Sequence, residues 1–500
     1  MKKCILITFL VLSSVLASAE IKLPKLVSDG MVLQRNAKVN IWGQAAAGKP
    51  VTVVTSWDGA KYRTSADSDG NWCVSAVTGE AGGPYSITIK DGDRDKVTVS
   101  DVMVGEVWIC SGQSNMGMPL MGYPAQPVEG ALEEYVKAPS HHNLRLFKVI
   151  PTLCEDYQED VNAGWSRPTM AEAANFSALG FLFGAGLADN LDVTVGMIES
   201  DAGGTRIEAW MSEEAILPVI PDNAKSDEGR AAIDPNRTAI LWKSMIYPLR
   251  KYAAKGFLWY QGESNKGQYK VYAQLQASLV KLWRDTWTEN GTDGQSMFFF
   301  FSQLAPFDHN NPYDRINGKK NDILIPLMWE AQRRALDIIP LSDMAFCVDL
   351  GHSSFIHPPR KKELAERFLL LAMKHAYDVF AIPSMDWRGP IFKGVSFDGC
   401  EAIVEFDSPS VLCPIDPLNT PVPILGFELA GADRVFHRAD AVIVQRDYNF
   451  SKKVRVTCAD VPEPVAVRYA FDNVPGELNL TNTIGLPAYP FRSDDWDDVQ

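Results

Sequence analysis

After its first 20 residues, the chain has no apolar run of 18 or more residues, and it has little positive charge. Without such a run no membrane-spanning helix is expected. A total of 48 Lys and Arg against 62 Asp and Glu disfavours a nucleic-acid partner, because phosphate recognition needs clustered basic side chains. Eight cysteines are too few for a disulfide scaffold, and no Cys-x-x-Cys pair indicates a structural metal. The sequence predicts an acidic globular protein without a metal or a cofactor.

The first 19 residues have the pattern of a secretory signal peptide. Lys2 and Lys3 precede the apolar stretch 5–16, and small residues at 17–19 form a typical cleavage site. A membrane anchor would need a longer apolar span. We therefore predict cleavage after Ala19 and a periplasmic or secreted protein.

The rest of the chain divides into three segments, and each predicts a domain. Residues 20–100 contain short alternating strands separated by Gly, Asn and Asp turns, which is typical of a small antiparallel β domain. In residues 101–385, buried strands alternate with helical patterns, which favours a parallel sheet covered by helices on both faces. Residues 386–500 return to short strands with Pro-rich turns. The strands predicted in the middle segment include 194–198, 256–260, 298–304 and 344–350, and the helices include 269–287 and 361–380. The expected fold class is α/β with a small β domain at each end.

Segment 104–116 is the most informative part of the sequence. An apolar strand ends at Cys110, and Gly112-Gln113-Ser114 follows it. Ligands of open α/β sheets bind beyond the carboxyl ends of the strands, where a serine can act as a nucleophile while its own N–H faces a developing oxyanion. A turn serine or helix cap would give the same short pattern. The nucleophile elbow of α/β-hydrolases is disfavoured, because Met116 occupies the position of its second glycine.

Three further strand ends carry groups suited to the same site. Gly203 and Gly204 would let the backbone approach a ligand and donate N–H groups to it. The segment 261–265 brings polar side chains, and His357 lies in the loop before the last predicted helix. Together with Ser114, these strand ends would supply a nucleophile, amide donors and a base.

Four motifs in this order strongly resemble the sialate O-acetylesterase family, a branch of the SGNH hydrolases. They are Gly112-Gln-Ser-Asn-Met116, Gly203-Gly-Thr-Arg-Ile-Glu-Ala-Trp210, Trp259-Tyr-Gln-Gly-Glu-Ser-Asn265 and Ile356-His-Pro358. The resemblance covers nearly the whole chain. It implies an SGNH-like core that hydrolyses acetyl esters on carbohydrate hydroxyls, above all on sialic acid, with a serine nucleophile and no metal.

The resemblance also implies roles for single residues. Ser114 would attack the acetyl carbonyl, and His357 would accept its proton as the general base. The expected oxyanion donors are the N–H of Ser114, the N–H of Gly203 or Gly204, and the side-chain amide of Gln261 or Asn265.

The third member of the catalytic group is open at this point. SGNH enzymes usually carry an acid three residues before the histidine, where this sequence has Ser354. Glu263 is the preferred substitute, because it lies on a loop at the same sheet edge, although it could also only brace that loop by hydrogen bonds. The alternatives are Asp349, or a Ser–His dyad in which a backbone carbonyl binds Nδ1.

Two other polar residues near the motifs have competing interpretations. Arg206 could bind a sialic-acid carboxylate, because a guanidinium fits a carboxylate well, or it could pair internally with Glu208 or Asp201. His352 is expected to be a hydrogen-bonded neighbour of the base and not the base itself.

The sequence thus predicts a carbohydrate O-acetylesterase whose substrate is O-acetylated sialic acid or another acetylated glycan. An esterase for acetylxylan or another plant polysaccharide is the second hypothesis. A carbohydrate-binding protein without catalysis is the third, supported only by the missing acid before His357.

Overall fold

The computed structural model describes residues 20–92, 95–222, 227–231, 233–308, 315–316, 319–320, 323–379, 387–408, 422–444 and 452–496. The predicted signal peptide (1–19) and the predicted boundary at residue 385 lie outside these ranges. In the part of the chain that is described, no helix is long and apolar enough to cross a membrane.

The N-terminal segment forms antiparallel strands around one long strand. The strands are β1 (Val32–Gln34), β2 (Lys38–Gln44), β3 (Pro50–Thr55), β4 (Lys61–Ser65), β5 (Asn71–Val77), β6 (Gly82–Asp91) and β7 (Asp95–Gly112). β2 pairs with β5, β3 pairs with β4 and β6, and β6 pairs with β7. β7 then continues into the central sheet, so the predicted boundary near residue 100 falls inside this strand.

The central sheet has the order β15-β12-β11-β7-β10-β8-β9. Its strands after β7 are β8 (Leu144–Lys148), β9 (Trp165–Ser166), β10 (Val195–Asp201), β11 (Gly256–Tyr260), β12 (Phe298–Ser302) and β15 (Ser342–Ala345). β13 (Arg315–Ile316) and β14 (Lys319–Lys320) form a separate antiparallel pair. Neighbouring strands from β15 to β8 are parallel, and β9 pairs antiparallel with β8. The expected α/β class is therefore confirmed.

Helices cover both faces of this sheet. They are α1 (Ser114–Gly117), α2 (Ala131–Lys137), α3 (Met170–Asn175), α4 (Ala178–Leu191), α5 (Glu213–Ile216), α6 (Tyr269–Glu289), α7 (Leu324–Leu336) and α8 (Lys361–His375). Phe257 and Phe299 pack on Trp283 of α6, whereas Trp108, which points to the opposite face, contacts Phe183 of α4. Burial on both faces explains why β11 and β12 read as continuous apolar runs in the sequence.

The predicted strand 344–350 is correct only in part. β15 ends at Ala345, and the following residues leave the sheet because Cys347 N–H donates to the Gln303 side chain and Asp349 pairs with Arg367. The predicted helix 361–380 begins at Lys361 and ends at His375.

Two antiparallel sheets follow in the C-terminal segment. Their strands are β16 (Ile391–Asp398), β17 (Glu401–Asp407), β18 (Phe427–Ala430), β19 (Phe436–Arg438), β20 (Asp440–Ile443), β21 (Lys453–Thr457), β22 (Ala466–Tyr469) and β23 (Phe491–Arg492). The chain near β23 packs on α7, where Tyr489 donates to the Trp329 carbonyl and Arg492 pairs with Glu330.

Candidate active site

The carboxyl end of β7 is a topological switch point of the sheet. The later strands β10 and β11 lie on opposite sides of β7, which opens a crevice beyond its end. Gly112 ends β7 with φ +140°, and a Cβ there would lie 2.1 Å from the Tyr260 carbonyl oxygen, so only glycine fits. Gln113 N–H donates to the same carbonyl, and α1 begins at Ser114. The sequence therefore places Ser114 at the crevice.

The structure brings Ser114 together with His357 and with a residue that the sequence analysis did not single out, Gln126. His357 Nε2 lies 2.8 Å from Ser114 Oγ, and His357 Nδ1 lies 2.9 Å from Gln126 Oε1. Because an amide oxygen only accepts hydrogen bonds, the imidazole proton resides on Nδ1. Nε2 is then free to accept the Ser114 hydroxyl proton, which is the arrangement a general base needs.

A tight turn presents Gln126 and Tyr123 to the imidazole. The two residues exchange backbone hydrogen bonds, and Gly122 before them has φ +79° with the Gln126 carbonyl 2.6 Å from where a Cβ would be. The Tyr123 ring packs edge-on against His357 at a centroid distance of 4.8 Å, and its hydroxyl donates to the Ser114 carbonyl. Burial and the nearby carboxylates of Asp201 and Glu199 raise the pKa of Tyr123, so this donor keeps its proton.

The environment of His357 favours its neutral form. Burial, and secondly the positive charge of Lys361, lower the pKa of His357 from its ordinary value to about 4. A neutral imidazole is the form that can accept a proton, so His357 is ready to act as a base at neutral and mildly acidic pH.

Neither predicted carboxylate reaches His357. Glu263 is buried and accepts a hydrogen bond from Asn115 Nδ2 at 2.6 Å, and Asp349 is held by Arg367 at 2.7 Å. The expectation that Glu263 orients the base is therefore not supported, and the alternatives of Asp349 or a backbone carbonyl are also replaced by the Gln126 amide.

The backbone near Ser114 offers two amide groups to a developing oxyanion. A Cβ added at Gly203 would lie 3.4 Å from Ser114 Cβ, so the Gly203 backbone lies directly beside the nucleophile. Within the described residues, the N–H groups of Ser114 and Gly203 donate to no other protein group. Gly204 adopts φ +70° and accepts a hydrogen bond from Asn236 through its carbonyl.

The two predicted side-chain donors to the oxyanion are occupied elsewhere. The Gln261 amide donates to the Thr205 carbonyl and to Asn265 Oδ1, and both side chains are fully buried. The Asn265 amide donates to Glu208 and Gln268. Since each amide nitrogen has two hydrogens, neither side chain has a donor left for a substrate. Their hydrogen bonds instead hold the loop that follows Gly204.

Arg206 has internal partners. Its guanidinium donates to Asp227 at 3.0 Å and to the Asn236 carbonyl at 2.7 Å, and it lies 3.6 Å from Glu208. Its side chain is only 11% exposed. The structure thus favours an internal salt bridge over a substrate carboxylate, with Asp227 as the partner that the sequence did not indicate.

His352 lies outside the catalytic group. Its Nδ1 accepts the Ser354 N–H, its ring stacks on Phe355, and the side chain is exposed. This agrees with its interpretation as a neighbour of the base.

Comparison with known proteins supports the resemblance noted in the motifs. A sequence model of the family described as carbohydrate esterase, sialic acid-specific acetylesterase, matches residues 104–328. Sialate O-acetylesterases of Homo sapiens and Pongo abelii are each 31% identical over 393 residues, which cover 73% of this chain and 72% of the relative. The chain belongs to the sialate O-acetylesterase family. It is a carboxylic ester hydrolase that acts on O-acetylated carbohydrates.

The fold of a solved structure matches that of this esterase over nearly the full length of the chain. A carbohydrate acetylesterase from Xanthomonas citri aligns with a TM-score of 0.80 at 31% identity, covering 95% of this chain and 100% of the other. The hypothesis of a carbohydrate-binding protein without catalysis is therefore wrong.

There is a physical reason why the sequence of the esterase did not indicate Gln126 as the partner of His357. The residue that orients a catalytic histidine is expected to be a carboxylate near it or at a strand end, whereas Gln126 is a neutral amide in a loop 231 residues before His357. Gly122 was the available signal in the sequence. A glycine there indicates a tight turn within the segment 114–126, close to Ser114.

Proposed function

We propose that this esterase removes O-acetyl groups from carbohydrates through an acetyl-enzyme intermediate on Ser114. The observation that carries the proposal is the continuous hydrogen-bonded chain from Ser114 Oγ through His357 to Gln126, with distances of 2.8 and 2.9 Å. A serine beside a base that is oriented by a third group has the arrangement of an activated nucleophile.

The acylation step uses each of these groups. His357 Nε2 accepts the hydroxyl proton as Ser114 Oγ attacks the acetyl carbonyl, and the Gln126 oxygen stabilises the imidazolium through Nδ1–H. The N–H groups of Ser114 and Gly203 bind the oxyanion of the tetrahedral intermediate. The imidazolium then protonates the departing sugar oxygen, which leaves as the free hydroxyl.

Deacylation repeats the sequence with water as the nucleophile. His357 accepts a proton from water, the hydroxide attacks the acetyl carbonyl, and the proton returns to Ser114 Oγ as acetate leaves. The same two N–H groups bind the second oxyanion.

Replacement of the nucleophile tests the mechanism. Ser114→Ala should abolish hydrolysis of an aryl acetate and covalent labelling by a fluorophosphonate, and Ser264→Ala, an exposed serine on the neighbouring strand-end loop, is the matched control. Mass spectrometry of the labelled wild-type enzyme should place the adduct on Ser114. Full turnover by the folded Ser114→Ala variant would end the proposal.

For the substrate, we propose O-acetylated sialic acid. The support is the name of the mammalian relatives, sialate O-acetylesterase, at 31% identity. The second candidate is an acetylated plant polysaccharide such as acetylxylan, which the broader description of the Xanthomonas citri enzyme as a carbohydrate acetylesterase also covers. Values of kcat/KM on 9-O-acetyl sialic acid and acetylated xylan, measured side by side, decide between them, because pocket contacts set discrimination.

We also propose that the enzyme is exported to the periplasm or secreted. The support is the sequence pattern of residues 1–19, with two lysines, an apolar stretch and a small-residue cleavage site. N-terminal sequencing of the protein from the periplasmic or culture fraction should begin at Glu20. An intact Met1 in a cytoplasmic fraction would contradict export.

A further inference from the structure

A buried lysine lies next to the catalytic group without taking part in the mechanism above. Lys361 is the first residue of α8, four positions after His357, and it is only 1% exposed. Its Nζ donates to Asn115 Oδ1 at 2.7 Å and faces the Tyr260 ring at 5.4 Å. A buried ammonium is costly, so its presence beside a nucleophile requires an explanation.

Asn115 connects this lysine to the two catalytic segments. It follows Ser114 directly, and its Nδ2 donates to the carbonyl of Ile356, which precedes His357, at 3.0 Å. The same nitrogen donates to Glu263 Oε1 at 2.6 Å. One buried side chain therefore ties the nucleophile turn to the loop of the base and to the loop after β11.

The arrangement differs from a simple ion pair. Within the described residues, the second carboxylate oxygen of Glu263 has no hydrogen-bond partner, and Asn115 lies between Glu263 and Lys361 in the hydrogen-bonded chain. The hydrogen bonds to Glu263 and from Lys361 therefore fix the orientation of the Asn115 amide from both ends. Because the donors and acceptors of Asn115 are all assigned, the amide has one orientation only.

We propose that Lys361 and Glu263 are positioning residues that act through Asn115 to hold Ser114 at hydrogen-bonding distance from His357. The proposal rests on the catalytic roles assigned above to Ser114 and His357. It gives Glu263, first expected to orient the base, a different task at the same site.

The buried charge has a second effect on the base. Lys361 is the charged group that lowers the pKa of His357 after burial itself, while the other groups around the imidazole are the neutral side chains of Ser114, Tyr123 and Gln126. Removal of the Lys361 charge should therefore raise the pKa of His357. This shift reports the charge of Lys361, whereas a loss of kcat with little change in KM reports positioning.

Charged groups around the lysine also affect its protonation. Desolvation lowers the pKa of Lys361 to about 7, against the attraction of Glu263, so the ammonium is fully formed in the acidic range where His357 titrates. The pH experiment therefore examines the charged state of Lys361.

Three variants separate positioning from charge. Lys361→Met removes the donor and the charge at similar length, and Asn115→Ala removes the connection but keeps the charge. Lys362→Met is the matched control, because Lys362 is the next residue, 47% exposed, and paired with Glu134 at the surface. Each is assayed for kcat, KM and the pH dependence of kcat/KM on an aryl acetate, with folding checked by circular dichroism.

The proposal predicts a distinct result for each variant. Lys361→Met should lose about tenfold in kcat with little change in KM, and its acidic limb should move up by roughly half a pH unit or more. Asn115→Ala should lose about 10²-fold in kcat with the acidic limb unmoved. Lys362→Met should match the wild type in every respect.

Two results would overturn the proposal. A folded Lys361→Met enzyme with full kcat would rule out a positioning role for the lysine, wherever its acidic limb lies. An Asn115→Ala enzyme with full kcat would rule out the role of the connection, even if Lys361→Met does not fold. Fluorophosphonate labelling of the wild type at Ser114 keeps these outcomes apart from a failure of the catalytic mechanism itself, in which no label would appear.

Discussion

Gln126 is the residue whose replacement tests the catalytic arrangement most directly. Its amide oxygen accepts the Nδ1–H of His357 at 2.9 Å, and when the imidazole is protonated in the transition state this becomes a charge-assisted hydrogen bond. Gln126→Leu keeps the approximate size of the side chain and removes the acceptor. The imidazolium would then form without a partner on Nδ1, and the tautomer of the free base would no longer be fixed.

The hydrogen bond sets the size of the effect. Hydrogen bonds to charged groups contribute about 1.5–3 kcal/mol, and each 1.4 kcal/mol corresponds to about tenfold in rate. Gln126→Leu should therefore lower kcat by about 10- to 150-fold. KM should change little, because Gln126 contacts the base and not the ester.

Gln126→Glu tests the same contact in the opposite direction. A carboxylate at Nδ1 stabilises the imidazolium, so the pKa of His357 should rise from about 4 toward or above its ordinary value. The acidic limb of kcat/KM should then move up by at least one pH unit, while catalysis at neutral pH is retained.

Steady-state kinetics on an aryl acetate from pH 3 to 9 measures both effects. Met121→Ala is the control, because Met121 belongs to the same loop but is 58% exposed. A folded Gln126→Leu enzyme with a kcat within twofold of the wild type would refute the assignment of Gln126 as the residue that orients the base.

Other predictions follow from the same geometry. Glu263→Gln can still accept the hydrogen bond of Asn115, so kcat should fall by about tenfold or less, whereas a role as the orienter of His357 would cost about 10⁴-fold; kcat on an aryl acetate distinguishes the two. In the wild type, the base is neutral above its pKa of about 4, so kcat/KM should fall only as the pH drops through that value, and an acidic limb near 6.5 would contradict the environment described for His357. Gly112→Ala would place a Cβ 2.1 Å from the Tyr260 carbonyl, so thermal unfolding should show a loss of several kcal/mol or no folded protein.

The sequence predicted the edge of the sheet well, because buried parallel strands appear in a sequence as continuous apolar runs. The predicted strand 256–260 is correct, and the predicted strand 298–304 is correct as far as Ser302. The polar residues after them meet at one edge since parallel strands end together. This topology brings Ser114 and His357 to the same edge, where they lie within hydrogen-bonding distance.

The sequence could not show the direction in which the polar side chains at that edge point. Gln261 and Asn265 lie on the expected loop, yet their amides are turned inward, where they satisfy the Thr205 carbonyl and the Ile207 N–H. Leaving a buried carbonyl or N–H without a hydrogen bond costs more free energy than a side-chain amide gains by facing solvent. The backbone of the neighbouring loop therefore determines the orientation of the two amides. Such a requirement arises only once the chain is folded.

The Gln126 amide stabilises the imidazolium of His357 less than a carboxylate would, and the charge of Lys361 opposes it. With a pKa of about 4, about nine-tenths of the base is neutral at pH 5, against about 3% for an ordinary histidine. A weaker base also accepts the serine proton less readily, so more of the stabilisation of the transition state must come from the oxyanion. We expect the backbone N–H groups of Ser114 and Gly203 to supply it, since the amides of Gln261 and Asn265 are already bonded within the protein.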